Sequence, residues 1–181
     1  MGKPREPRPV KLFMSLIAGE DDIFHRGMEA LKKGFGVIDF VSEKFQFDFT
    51  DYYTKEMGEN LFRHFITFEQ LISCGLLPEF KLATNHLEER FADSNGNRRM
   101  NIDPGYLSHA QVILATTKAY AHRPYLEKGI YADLTLIYRD KSFQALEWTY
   151  PDYRQEATIQ LFNQIRKQYL QTIKEGKNPL C

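Results

Sequence analysis

The sequence is short of the features that announce most functions. Its two cysteines, Cys74 and Cys181, fall in no metal or redox spacing, so neither a zinc site nor the disulfide framework of a small secreted domain is expected. Charge of one sign is missing as well. Lys plus Arg and Asp plus Glu both number 24 and the pI is near 7.0, which makes a nucleic-acid partner a poor expectation. No apolar run approaches the roughly 20 residues that span a bilayer, and the basic start MGKPREPRPV leads into no signal-peptide core. A cytoplasmic protein with no membrane partner is expected.

Catalytic signatures are equally scarce. A phosphate-cradling loop needs GxxxxGK followed by Ser or Thr, and a dinucleotide fingerprint needs several glycines after the first strand; neither run occurs. His25, His64, His86, His109 and His122 show no paired i, i+4 spacing of a zinc helix. GxSxG is absent, which argues against an elbow-type serine hydrolase.

What is present is an ordinary folding chain. With 181 residues, 43% of them apolar and 27% charged, it matches globular composition and fits one domain. Prolines at 4, 7 and 9 mark residues 1–9 as a flexible arm, 10–176 form a single α+β domain, and 177–181 are a tail. Cys74, among Leu71, Ile72, Leu76 and Leu77, is expected to be buried and inert.

Periodicity orders the elements. KLFMSLIA, 11–18, reads as a buried strand, and Asp21 and Asp22 cap a helix in which Ile23, Phe24, Met28, Leu31 and Phe35 recur near every 3.6 residues. Phe45, Phe47 and Phe49 alternate with polar residues as a strand does, and residues 60–71 read as its hairpin partner across TDYYTKEMGE. Pro78 opens a second helix carrying Phe80, Ala83, Leu87 and Phe91. Strands follow at 98–102, 111–117, 130–140 and 142–148, the last two as a hairpin. A final helix bears Ile159, Phe162, Ile165, Tyr169 and Ile173, with Asp152 and Gln155 as its capping box. The order predicts an α+β fold, a largely antiparallel sheet with helices packed on it, with a ferredoxin-like core extended by a C-terminal hairpin and helix.

Four segments carry candidate chemistry. In ATTKAYAHRP, Lys118 and Arg123 bring fixed charges and His122 a titratable ring into one turn, a set able to grip a phosphate or carboxylate with His122 as general acid. A solvated turn with local ion pairs explains the same residues. In NIDPGYL, Asp103 before Pro-Gly reads as a turn brace that could also serve as a catalytic or metal contact, with Tyr106 as a hydrogen-bond donor or stacking surface. In FDFTDYY, Asp48 and Asp51 could split acid and base roles, Asp51 as the catalytic one, while Tyr52 and Tyr53 flank a planar ligand or cover the core edge. A Mg²⁺ on Asp48 with Asp51, or on Asp103, is the one cofactor these carboxylates suggest. In WTYPDYR, Arg154 sits at a helix start against the positive dipole end, which an acidic neighbour such as Asp48 or Asp51, or an anionic ligand, would explain.

Together these strings resemble a prokaryotic family known as domain of unknown function 4416, from about Pro9 to Tyr169. The resemblance rests on PVKLF at 9–13, FDFTDYY with EMG at 56–58, NIDPGYL, LATTK at 114–118, His122-Arg123, GIYA at 129–132 and WTYPDYR. His64 stands beside Arg63 where that family commonly has a second basic residue. The resemblance implies neither an activity nor a catalytic residue. A GTP-binding label attached to some members would need a phosphate loop or an NKxD motif, and this sequence has neither.

The expectation is therefore an enzyme or binding protein for a small phosphorylated or anionic ligand such as a nucleotide. Lys118, His122, Arg123 and Arg154 would hold the anion, and Asp48, Asp51 and Asp103 would serve as acid, base or metal contacts. The alternative is a non-catalytic module whose tyrosines dock a protein partner or a second copy.

Overall fold

A computed structural model describes residues 2–176, so the expected tail at 177–181 lies outside the described residues. Residues 2–9 form no regular element. β1 (Val10–Ala18) is buried at every position because it runs through the middle of the sheet with both faces covered, which is why it reads as a continuous apolar run. α1 (Asp21–Phe35) follows, with both aspartates in its first turn and Lys32 and Lys33 in its last, each complementing the helix dipole.

The aromatic stretch after α1 is broken rather than one strand. β2 (Ile38–Val41) and β3 (Phe45–Gln46) both pair with β4 (Phe62–Ile72), and the chain between β3 and β4 folds into a short 3-10 turn, Asp51–Tyr53, and the one-turn helix α2 (Thr54–Met57). Phe47 is buried but Phe49 is 40% exposed, so the alternation that placed Phe49 in the core fails after Phe47. Cys74 begins a 3-10 turn and is half-buried rather than sealed in the core.

α3 (Leu77–Arg90) has Pro78 in its first turn, where a missing N–H costs nothing. β5 (Met100–Leu107), β6 (Gln111–Thr116), β7 (Tyr125–Glu127), β8 (Ile130–Arg139) and β9 (Ser142–Ala145) precede α4 (Glu156–Lys174). Two-residue turns with positive φ join β7 to β8 (Lys128 53°, Gly129 78°) and β8 to β9 (Asp140 52°, Lys141 69°). β7 has no counterpart among the strands expected from periodicity.

Every strand pair is antiparallel, in the order β2-β4-β1-β5-β6-β8-β7, with β3 on β4 and β9 on β8. The elements β1, α1, β2, β4, α3 and β5 have the succession and sheet order of a ferredoxin-like unit, and β6 to β9 with α4 extend it. Leu12, Met14 and Leu16 pack with residues of α1, α3 and β5 on one face of the sheet. Phe13 on the opposite face meets Phe65, Leu107, Val112 and, from α4, Phe162 and Ile165.

Candidate functional site

The site begins with a gap in the sheet. β5 and β6 pair only at Gly105 with Leu114, Tyr106 with Ile113 and Leu107 with Val112, although β5 extends back to Met100 and β6 on to Thr116. Below Gly105 the strands part, and Ile102 would be left with an unpaired N–H and C=O, a costly state for buried backbone. Two side chains of α3 satisfy both groups: Lys81 donates to the Ile102 carbonyl at 3.2 Å, and Glu88 accepts from the Ile102 N–H at 2.7 Å.

This geometry overturns the expected turn at NIDPGYL, which is a strand throughout. By strand alternation Pro104 directs its nitrogen to the same side as Ile102, where β6 has already left, so the absent N–H breaks no ladder bond. Gly105 is needed where the strands first meet. A Cβ there would lie 2.5 Å from the Ile113 carbonyl oxygen and 2.6 Å from the Phe13 ring.

The parted strands leave a cavity of about 870 Å³. Its walls include Phe47, Phe49, Tyr52 and Tyr53 from the segment before α2; Arg63 from β4; Lys81 and Glu88 from α3; Arg98 before β5; Asn101, Asp103 and residues 114–118 from β5, β6 and the loop leaving β6; Asp133 from β8; and Tyr150 to Tyr153 from the turn before α4. The polar-aromatic strings that stood out along the chain therefore converge.

Most charges around it are paired. Arg63 Nη1 bonds Asp152 Oδ2, with both side chains more than nine-tenths buried. Lys81 bonds Asp103 at 3.0 Å, and Asn101 donates to the other Asp103 oxygen at 2.7 Å. Burial pushes the Asp103 carboxyl up, but the Lys81 charge, these two hydrogen bonds and Arg63 together outweigh it and hold the group below its ordinary value. Arg98 grips Glu56 of α2 with two parallel bonds, at 2.9 and 2.7 Å, and reaches Glu88 at 3.3 Å, which ties the aromatic wall to α3. Glu88 is pushed up to about 7, chiefly by burial, with Asp103 adding to it against the pull of Lys81.

The predicted site residues separate into three sets. Lys118, Asp103 and Tyr53 line the cavity. Arg123 and His122 stand behind its wall: Arg123 donates to Asp133 at 2.8 Å, to the Tyr150 hydroxyl at 2.6 Å and to the Lys118 carbonyl at 3.1 Å. His122 stacks on Trp148 at 4.9 Å with Nε2 3.7 Å from Asp133. Asp133, an acid within the apolar run of β8, is 2% exposed, and it consumes the charge that Arg123 was expected to offer a ligand.

The third set lies elsewhere. Arg154 spends its guanidinium on the Thr149 and Glu147 carbonyls, which accounts for a cation near the start of α4 without any anion, and neither Asp48 nor Asp51 pairs with it. Asp48 and Asp51 are exposed and line no part of the cavity. Tyr106 packs under α3 with Leu77 and Ile113, where burial raises its hydroxyl to about 12. Asp152 is not the helix cap: α4 starts at Glu156 after Gln155, and the Asp152 side chain turns inward to Arg63. Among the described residues no three His, Cys, Asp or Glu side chains gather into a metal-binding set, and no helix is long and apolar enough to cross a membrane.

Sequence reasoning missed Arg63, Lys81, Glu88, Arg98 and Asp133. The signal for two of them was there: Lys81, Thr84 and Glu88 lie at helical spacing on the buried side of α3, a polar stripe where core residues belong.

The fold and cavity define an α+β protein with a ferredoxin-like core and a polar-aromatic pocket at a split in its sheet. The chain belongs to the family described as Domain of unknown function (DUF4416), which matches residues 8–169. No curated protein and no solved structure matches it.

Proposed function

We propose that the cavity binds a small anionic ligand, a nucleotide or another phosphorylated molecule, with its charged group at Lys118 and its body among the tyrosines. The observation that carries this reading is the state of Lys118. Arg63, Lys81 and Arg98, the other cations of the lining, each face a carboxylate, whereas the Lys118 ammonium has none among the described residues and lies 4.3 Å over the Tyr52 ring. A cation held at a pocket mouth by an aromatic ring, with its charge unspent, suits an anion arriving from solvent. Asp103 and Glu88, with their carboxyl groups displaced in opposite directions, are the pair available for proton transfer if the ligand is turned over.

A thermal-shift panel of nucleoside monophosphates, sugar phosphates and inorganic phosphate tests the reading. A ligand at 100 times its Kd adds about 2.7 kcal/mol, raising Tm by about 5–10 °C in a domain of this size. The shift should vanish in Lys118→Ala; a shift that survives it refutes the role of Lys118. A second reading, a docking surface for a protein or a second copy, rests on Tyr120, Tyr125 and Leu126, which are 68%, 59% and 39% exposed at β7 and its approach. Sedimentation over a hundredfold concentration range tests it.

A further inference from the structure

The carboxylate of Asp103 has room for partners that the protein does not supply. Its Oδ1 accepts from Lys81 at 3.0 Å and its Oδ2 from Asn101 at 2.7 Å, one hydrogen bond each. An ionised carboxylate can accept about four. The side chain, little more than its carboxylate, is 30% exposed although β5 is an interior strand between β1 and β6. Asp103 lines the cavity where β6 turns away, so the accessible part of the group opens into it. Lys81 and Asn101 thus hold in place an acceptor pair with capacity to spare.

Two further polar groups of the lining are unspent. Asn85, one turn along α3 from Lys81, and Tyr53 are both half-buried, and neither side chain makes a hydrogen bond among the described residues. Neither is sealed away from contact as the buried, unsatisfied atoms of the fold are. Burial pushes the Tyr53 hydroxyl up and the Asp103 charge adds to it, so the phenol stays protonated and close enough to Asp103 to sense it. Charge decides what can sit among these groups. An anion beside Asp103 would meet a like charge, and a cation would leave the Lys81 ammonium unmatched. A hydroxyl avoids both costs: it donates to a carboxylate oxygen and still accepts from a group such as the Asn85 amide or the Tyr53 hydroxyl, whereas a ligand N–H only donates. Phe49 and Tyr52, 40% and 58% exposed, give the C–H face of a sugar ring apolar surface to lie on.

We propose that the cavity holds a sugar, with a pair of vicinal hydroxyls donating to the carboxylate of Asp103 and accepting from Asn85 and Tyr53. This rests on the cavity being a ligand site and names the body of a ligand whose anionic group is at Lys118: a sugar phosphate or the ribose end of a nucleotide. Asp103 is a specificity residue here, and Lys81 and Asn101 position it.

Removing one hydroxyl of the pair tests this. Calorimetry on the full chain compares ribose 5-phosphate with 2-deoxyribose 5-phosphate, and adenosine 5′-monophosphate with its 2′-deoxy form. In the pair that binds more tightly, which names the source of the sugar, the deoxy compound should bind at least about tenfold more weakly for want of one hydrogen bond to a charged group. Equal affinities within both pairs overturn the proposal, as does the absence of binding by all four. Asp103→Asn, which puts an N–H₂ where one oxygen stood, should bring each pair within about twofold; a preference that survives it overturns the role of Asp103. The wild-type comparison decides even if Asp103→Asn fails to fold. Asn85→Ala breaks no hydrogen bond within the described residues and should weaken the preferred compound about three- to tenfold; unchanged affinity removes Asn85 from the site. Ribose against 2-deoxyribose separates the two proposals. If the anion site at Lys118 is wrong, a phosphate adds nothing to the affinity of ribose while the preference for ribose persists. If the hydroxyl contact is wrong, the phosphates still bind through Lys118 without regard to the 2-hydroxyl.

Discussion

The Asp152 carboxylate in the turn before α4 accepts a hydrogen bond from Arg63 near the start of β4, joining residues 89 positions apart in a buried ion pair. Removing one member of such a pair strands the other charge in a poorly solvated place. Asp152→Ala should therefore cost about 3–5 kcal/mol. If Asp152 were only a helix cap the loss would be about 1 kcal/mol. Urea denaturation of the variant separates the two, and a loss near the smaller figure would refute the pairing's weight.

Glu88 predicts a pH dependence with a definite sign. Its carboxyl rises from 4.5 to about 7 in the folded protein, so between those values the folded state holds a proton that the unfolded state has released. Stability from this group is greatest below about pH 4.5 and falls as pH rises to about 7, by on the order of 3 kcal/mol. Glu88→Gln carries no such proton. The stability difference between wild type and Glu88→Gln should move in favour of the variant across that window, and a constant difference from pH 4.5 to 8 would remove the basis for assigning Glu88 a proton.

The contrast between these residues shows what the sequence could disclose. β1, α1, α3 and α4 were legible because burial on a helix or a central strand imposes a period on neighbouring residues, and the succession strand, helix, strand, strand, helix, strand followed; the order of the strands in the sheet did not, because pairing across the sheet leaves no local period. The walls of the cavity were legible as polar-aromatic strings. Their pairing was not, because Arg63 with Asp152, or Arg98 with Glu56 across 42 residues, leaves no local pattern. At Asp103-Pro104-Gly105 the local pattern itself misled: the turn propensity of Pro-Gly lost to a strand whose edge is served by Lys81 and Glu88 from α3.

Two glycines of opposite character test the packing account. Gly105→Ala places a methyl group against backbone at 2.5 Å, and should cost at least about 1–3 kcal/mol, lowering Tm by about 2–4 °C for each. Gly34, in the last turn of α1, has open space around it, and Gly34→Ala should stabilise by about 0.5–1 kcal/mol. Equal effects at the two positions, read from thermal melts, would mean that the approach of β5 to β6 is looser than the contact at Gly105 indicates.

Lys118 and Arg123, five residues apart, should respond in opposite ways to the same substitution. Arg123 holds Asp133, which is 2% exposed, and its other donors are taken by Tyr150 and the Lys118 carbonyl. Arg123→Ala leaves that carboxylate with His122, 3.7 Å away, and the Thr135 hydroxyl at 3.5 Å, and should lower stability by about 3 kcal/mol. Lys118 has no carboxylate partner to strand, so Lys118→Ala should change stability by less than about 0.5 kcal/mol while abolishing the shift produced by a nucleoside monophosphate. Urea titrations with and without that ligand measure both quantities on each variant. A stable Arg123→Ala that has lost the ligand response would place the anion contact at Arg123 instead, because a guanidinium needed mainly for Asp133 cannot be removed without cost to the fold.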